Sequence, residues 1–189
     1  KTGGSMCGGC MREQFIDCYA DYLIRFIEEY EKRGINVAAL TAQNETETTQ
    51  EGKMPACLWH PDIEAKFIIA LKCRLKAAGR DVKVFMHDHN FSSWPKVLWQ
   101  LDEYKELSEE CDGVAFHYYS GAVEDINFVK EKYPDLEYHF TEGGPRLYDN
   151  YATDWCKWGV IMSKALKHGC RPFTGWNLLL DEVGGPNIG

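Results

Sequence analysis

Two glutamates, Glu45 and Glu142, stand where a run of strand-forming residues gives way to a turn. In Glu137-Tyr138-His139-Phe140-Thr141-Glu142-Gly143-Gly144-Pro145 the β-formers alternate up to Thr141, the carboxylate follows, and Gly-Gly-Pro breaks the chain. A carboxylate at the rim of a sheet can meet a ligand without being buried unpaired. One such glutamate reads as a solvated loop residue. The pattern recurs, however, at Asn44-Glu45, His87-Asp88-His89-Asn90, His117-Tyr118-Tyr119-Ser120 and Gly175-Trp176-Asn177. Two carboxylates facing one another suit glycoside hydrolysis, in which one donates a proton to the leaving oxygen and the other, ionised, attacks the anomeric carbon. His, Tyr and Trp neighbours supply hydroxyl-binding groups and an apolar face for a sugar ring.

The histidines admit a second chemistry. At strand spacing His87 and His89 point to one side, as two metal ligands do. A metal-dependent hydrolase built on His87, His89 and His117 is therefore the competing enzyme class. The third ligand is not evident from the chain, and paired carboxylates need no metal, so neither a metal nor another cofactor is expected. Cys7-Gly-Gly-Cys10 has half-zinc or redox spacing but no second pair follows it. Trp59 and Trp94 stand at helix entries, where they either stack on an aglycone or pack the helix start.

The elements that must position these residues alternate. Phe15, Tyr19, Tyr22, Leu23, Phe26, Ile27 and Tyr30 recur at helical steps over about 14–33, with Gly34 as a cap. Ile35–Gln43 reads as a buried strand. Pro61 opens a helix to about Ala78, and Asp81–Met86 is the next strand. A helical region follows over Pro95–Glu110, then a strand over Gly113–Phe116 and a helix over Val123–Lys132. After the strand ending in Glu142, the last helix spans Asn150–His168, with Tyr151, Trp155, Trp158, Met162 and Ala165 as its stripe. A final strand is expected over Phe173–Leu178.

Regular helix–strand alternation without hairpin signals implies parallel strands joined by crossovers. Both a doubly wound sheet and a (β/α)8 barrel satisfy it. No Gly-x-Gly-x-x-Gly or Walker loop follows any strand, which removes the usual nucleotide version of the open sheet. Polar and aromatic residues clustered at strand ends are the signature of the barrel. A barrel needs about 250 residues and eight strands; this chain has 189 residues. The α/β fold expected is thus a partial (β/α)8 barrel, its last five strands with their helices. On this reading residues 1–189 form the C-terminal part of a catalytic domain, the first three units are missing, and no second domain lies within the chain.

Composition narrows the partners. A net charge of −8 argues against nucleic acid. No apolar run approaches the roughly 18 residues of a membrane span, so no integral membrane segment is expected. Apolar residues make up 44% and aromatics 13%, enough for a packed core. Eight cysteines without a close-spaced framework lean towards a reducing, cytoplasmic setting over a secreted one.

The motifs, taken in order, resemble glycoside hydrolase family 30, the glucosylceramidase-like enzymes. Lys1-Thr2-Gly3-Gly4 is similar to the loop after that family's third strand, and Thr41-Ala42-Gln43-Asn44-Glu45 to its "QNEP" strand. Cys57-Leu58 with Pro61 resembles "CL-x-x-P", and residues 113–121 resemble "GIAxHWYSG". Gly175-Trp176-Asn177-Leu178 through Gly184-Gly185-Pro186-Asn187 resembles the eighth strand and its "GGPN" loop. The resemblance implies a retaining β-glycosidase in which Glu142 is the nucleophile and Glu45 the acid/base. It implies that Asn44, His117, Tyr119 and Trp176 bind the sugar, with Asp88, His89 and Asn177 as further contacts. The implied partner is a carbohydrate or glycolipid substrate. Thr46 departs from the pattern, which has proline after the acid/base, and so removes a stiffener of that loop. A non-catalytic carbohydrate-binding fragment is the remaining alternative.

Overall fold

Two central strands are buried along nearly their whole length and a third over its middle, as expected for a parallel sheet covered on both faces. The computed structural model describes residues 8–50, 55–144 and 150–176. Among them are β1 (Ala39–Thr41), β2 (Lys83–Asn90), β3 (Gly113–His117), β4 (Glu137–Glu142) and β5 (Cys170–Phe173). They form one five-stranded sheet in the order β1-β2-β3-β4-β5, and every pairing is parallel. Sequential neighbours joined through helices make this an arc of a (β/α)8 barrel, as the alternation predicts.

The helices are α1 (Ile16–Glu31), α2 (Pro61–Ala77), α3 (Trp94–Glu103), α4 (Lys105–Glu110), α5 (Ile126–Lys130) and α6 (Tyr151–Lys167). On α1 the buried stripe is Ile16, Ala20, Leu23 and Ile27, one residue per turn. Pro61 stands in the first turn of α2, and the His60 ring accepts a hydrogen bond from the Asp62 amide at 3.3 Å. One face of the sheet, with Val84, Met86, Val114, Phe116, Tyr138 and Phe140, packs into a single core with Ile27, Phe67, Ile68, Leu71 and Leu101. Phe85, Ala115 and His139 belong to the opposite face, outside that core, and the Phe85 and His139 rings stack there at 3.9 Å.

Several boundaries differ from expectation. β1 keeps only three residues of the Ile35–Gln43 run. The Pro95–Glu110 region is two helices, because Tyr104 leaves the helical conformation (φ −110°, ψ 87°). The last strand lies at Cys170–Phe173 rather than Phe173–Leu178, so Trp176 follows the strand instead of standing on it, and Asn177 lies outside the described residues. Pro172 hides this strand in the sequence, since proline cannot donate to a ladder. The stripe of α6 is also rotated: Ile161 and Ala165 are buried, Trp158 is partly so, and Trp155 and Met162 face solvent. Tyr151 carries no described side chain. The loop 1–4, Cys7 and the Gly184–Asn187 motif lie outside the described residues too.

Candidate active site

A β-bulge builds the floor of the site. Between His87 and His89 the pairing of β2 with β3 slips by one residue, and His87 and Asp88 take φ values of 77° and 49°. Positive φ in residues with a Cβ is costly and persists only where surrounding contacts enforce it. The bulge breaks the alternation that was expected to place both histidines on one side. His87 is buried with its ring against Phe116 and its Nε2 3.0 Å from the Asn90 carbonyl oxygen, while His89 turns to the cavity.

Asp88 is seated by three strands. Thr41 Oγ1 of β1 donates to Oδ2 at 2.7 Å, and Thr141 Oγ1 of β4 donates to Oδ1 at 2.8 Å. His117 Nε2 of β3 lies 3.0 Å from Oδ1. With both oxygens engaged beneath the cavity, Asp88 is a support for the site rather than one of its lining residues.

Both rim glutamates converge on His117. Its Nδ1 is 3.2 Å from Glu45 Oε1, and its Nε2 is 3.7 Å from Glu142 Oε2. The ring is 1% exposed and forms part of the floor, not the wall. Glu45, at φ 51°, also receives a hydrogen bond from the Gln50 side-chain Nε2 on its Oε2, and its own backbone N–H donates to the Asp88 carbonyl at 3.0 Å. Tyr119 Oη donates to Glu142 Oε1 at 2.9 Å, while the Tyr119 amide donates to Asn90 Oδ1 at 2.9 Å.

Above this floor lies a cavity of about 650 Å³ lined by Asn44, Glu45, His89, Tyr119, Glu142 and Trp176, with Thr48, Gln50 and Asn90 completing it. Such a volume matches small-molecule sites. Trp176 is 49% exposed, leaving an aromatic surface open to the cavity. Its position depends on close backbone approach, since the Trp176 amide donates to the Gly143 carbonyl at 2.7 Å. A Cβ on Gly144 would stand 1.5 Å from the Trp176 carbonyl oxygen, which only glycine permits.

The charges are unevenly tuned. The hydrogen bond from His117 and the nearby His89 ring, whose Nδ1 is 3.6 Å away, hold the Glu45 carboxyl down to about 2 against the effect of burial. Burial raises Glu142 above its ordinary value, and the Glu45 and Asp88 charges add to this, partly offset by His117 and Tyr119. Burial opposes charge on His117, but its bonds to Asp88 and Glu45 and the Glu142 charge prevail, pushing it up to about 9. The described residues thus hold Glu45 ionised and His117 cationic between acids.

Of the predicted site residues, the structure brings Asn44, Glu45, His89, Tyr119, Glu142 and Trp176 around one cavity and puts Asp88 and His117 beneath it. Gln50 and Thr48 escaped the sequence reading of the site, and Asn90 was read only as part of the polar end of its strand. A polar loop carries Thr48 and Gln50 without periodicity, so only proximity to Glu45 marked them. Trp59 packs on Tyr19 and Phe67, and Trp94 stacks on Phe128; both serve helix entry and neither lines the cavity. Among the described residues, Glu45, His89 and His117 offer ligand atoms within 4.8 Å of one another, a trio that leaves out His87. Both His117 nitrogens in it already face carboxylates. Cys10, the described member of its pair, is exposed. No helix among the described residues is long and apolar enough to cross a membrane.

Comparison with known proteins agrees with the fold. The chain is 27% identical to putative glucosylceramidase 1 of Caenorhabditis elegans over 98% of this chain and 38% of that protein. The crystal structure of SrfJ from Salmonella typhimurium superposes with a TM-score of 0.88 at 30% identity, covering 99% of this chain and 43% of that one. The endo-β1,6-glucanase BT3312 superposes equally well, TM-score 0.88 at 25% identity, over 97% of this chain and 42% of its own. The chain therefore spans well under half the length of these relatives. The glycosyl hydrolase family 30 TIM-barrel domain matches residues 1–188, and the chain belongs to that family.

Proposed function

We propose that this chain carries the reacting carboxylates of a retaining β-glycosidase, Glu142 as nucleophile and Glu45 as acid/base. The observation that carries the reading is the convergence of Glu45 at the β1 end and Glu142 at the β4 end on one cavity and one imidazole. In the first half-reaction a Glu142 oxygen bonds to the anomeric carbon, the bond to the leaving oxygen breaks, and Glu45 gives that oxygen a proton. In the second, water attacks the same carbon, Glu45 takes its proton, and the ester bond breaks to restore the Glu142 carboxylate. Trp176 offers the sugar ring its face, and Asn44 and His89 offer hydrogen bonds to its hydroxyls. The substrate is a β-linked sugar borne on a second sugar or a lipid, the classes acted on by an endo-β1,6-glucanase and a glucosylceramidase.

One observation favours exchanged roles. Glu45 is the carboxyl held ionised and Glu142 the one raised, whereas the first half-reaction needs an ionised nucleophile and a protonated acid. Covalent trapping separates the two. The full-length protein is treated with activated 2-deoxy-2-fluoro-β-glycosides of the gluco and xylo series, and the labelled peptide is sequenced. Label on Glu142 supports the proposed assignment, label on Glu45 exchanges the roles, and an α-configured first product from a β-glycoside removes the retaining mechanism.

A further inference from the structure

Behind the site, on the helix side of the sheet, lies a buried ion pair that the mechanism does not use. Glu64 of α2 is 0% exposed, and Lys96 Nζ of α3 stands 2.9 Å from its Oε2. Gln100 Nε2 donates to the same oxygen at 3.1 Å. The two charges also reach outward in different directions. Glu64 Oε1 accepts from the His87 amide at 2.8 Å, and Lys96 Nζ donates to Thr46 Oγ1 at 2.9 Å.

Those two contacts fall on the two backbone turns that present the site. His87 opens the bulge that places Asp88 and His89, and Thr46 directly follows Glu45. Glu45, His87 and Asp88 all have positive φ. The Glu45 amide bonds the Asp88 carbonyl at 3.0 Å, so the turns are joined at the front by one bond and at the back by the ion pair. Thr46 is 0% exposed, and its carbonyl accepts from the Trp59 amide at 2.9 Å. A buried ion pair is on average no more stabilising than apolar residues of the same size, so stability alone does not account for this one. Strained turns, by contrast, need contacts that over-determine them. Thr46 stands where the family pattern has proline, and its hydroxyl gives Lys96 the handle through which that position is held.

We infer that Glu64 and Lys96 are positioning residues that hold the Glu45 turn and the His87–His89 bulge in register, with Thr46 as the link to Glu45. The inference rests on Glu45 being the acid/base.

The test uses the full-length protein and aryl β-glycosides spanning good and poor leaving groups. A correctly placed acid matters most when the leaving oxygen needs a proton. Glu64→Gln/Lys96→Met removes both charges yet keeps an acceptor for the His87 amide, and Thr46→Val cuts only the Lys96 link. Both are expected to lower kcat/KM at least tenfold on poor leaving groups and less than threefold on 2,4-dinitrophenyl glycosides. Combining them is expected to add less than threefold further loss. Wild-type kcat/KM on poor leaving groups in Thr46→Val, a uniform loss across leaving groups, or multiplying losses in the combination overturns the inference. If the double variant does not fold, Thr46→Val alone decides by the same criteria. Glu45→Gln runs in parallel. If it shows no leaving-group dependence the acid/base assignment itself fails, and if it shows the dependence while Thr46→Val does not, only the positioning role fails.

Discussion

His117 Nδ1 lies 3.2 Å from Glu45 Oε1, inside a ring whose other nitrogen faces Asp88 at 3.0 Å and Glu142 at 3.7 Å. One buried imidazolium therefore compensates three carboxyl groups drawn from the turn after β1, from β2 and from β4. Its loss leaves acids facing one another in a poorly solvated place.

His117→Gln is expected to make stability respond differently to pH. His117 is raised from 6.5 to about 9, so its contribution is fully present below pH 6.5 and fades as pH rises through about 9. Glu45, lowered from 4.5 to about 2, contributes above pH 4.5 and loses that contribution as pH falls towards 2. The wild-type advantage over His117→Gln should therefore be greatest between these limits, on the order of 3 kcal/mol, and shrink on both sides. Denaturant unfolding across pH measures it; a pH-independent difference contradicts the charge assignment.

Asp88→Asn keeps the shape of the support while removing the charge that faces His117. Breaking a buried pair in this way costs about 3–5 kcal/mol. The His117 pKa should fall, because the Asp88 bond and charge are among its raising influences. Imidazole titration by NMR in the variant reports that fall directly.

Tyr119→Phe removes the hydroxyl that donates to Glu142 Oε1 at 2.9 Å. That bond lowers the carboxyl, so Glu142 should rise further and the acidic limb of kcat/KM should move to higher pH. A hydrogen bond to a charged group is worth about 1.5–3 kcal/mol, which corresponds to a tenfold or greater loss in kcat/KM. The pH–rate profile gives both quantities, and an unmoved limb separates Tyr119 from Glu142.

Gly144→Ala should displace the segment bearing Trp176, since the added methyl meets the Trp176 carbonyl at 1.5 Å. A misplacement of about 1 Å in a positioning group can cost 100-fold in rate. The expected result is a loss of roughly that order in kcat/KM, with the urea midpoint changed far less than by a core truncation. Phe140→Ala, which removes a fully buried ring stacked on Phe173 at 4.1 Å, provides that reference at about 3–5 kcal/mol.

Helix and strand order, and the two rim carboxylates, are written in local residue patterns. Apolar periodicity, Pro61 at a helix start and Gly-Gly after Glu142 act over a few residues, and the chain carries them wherever it folds. That local logic failed where a neighbour decided the outcome. Pro172 concealed β5, whose ladder with β4 tolerates it, and the bulge at His87 turned two histidines apart that simple alternation would have aligned. Tertiary structure alone determined that Glu45 and Glu142 share His117, that Asp88 is held by Thr41 and Thr141, and that Glu64 and Lys96 grip both strained turns. Those relationships join residues 23 to 72 positions apart in the chain. Charge tuning falls off with distance in space, not along the sequence, so the opposite shifts of the two glutamates became visible only once the strands were side by side.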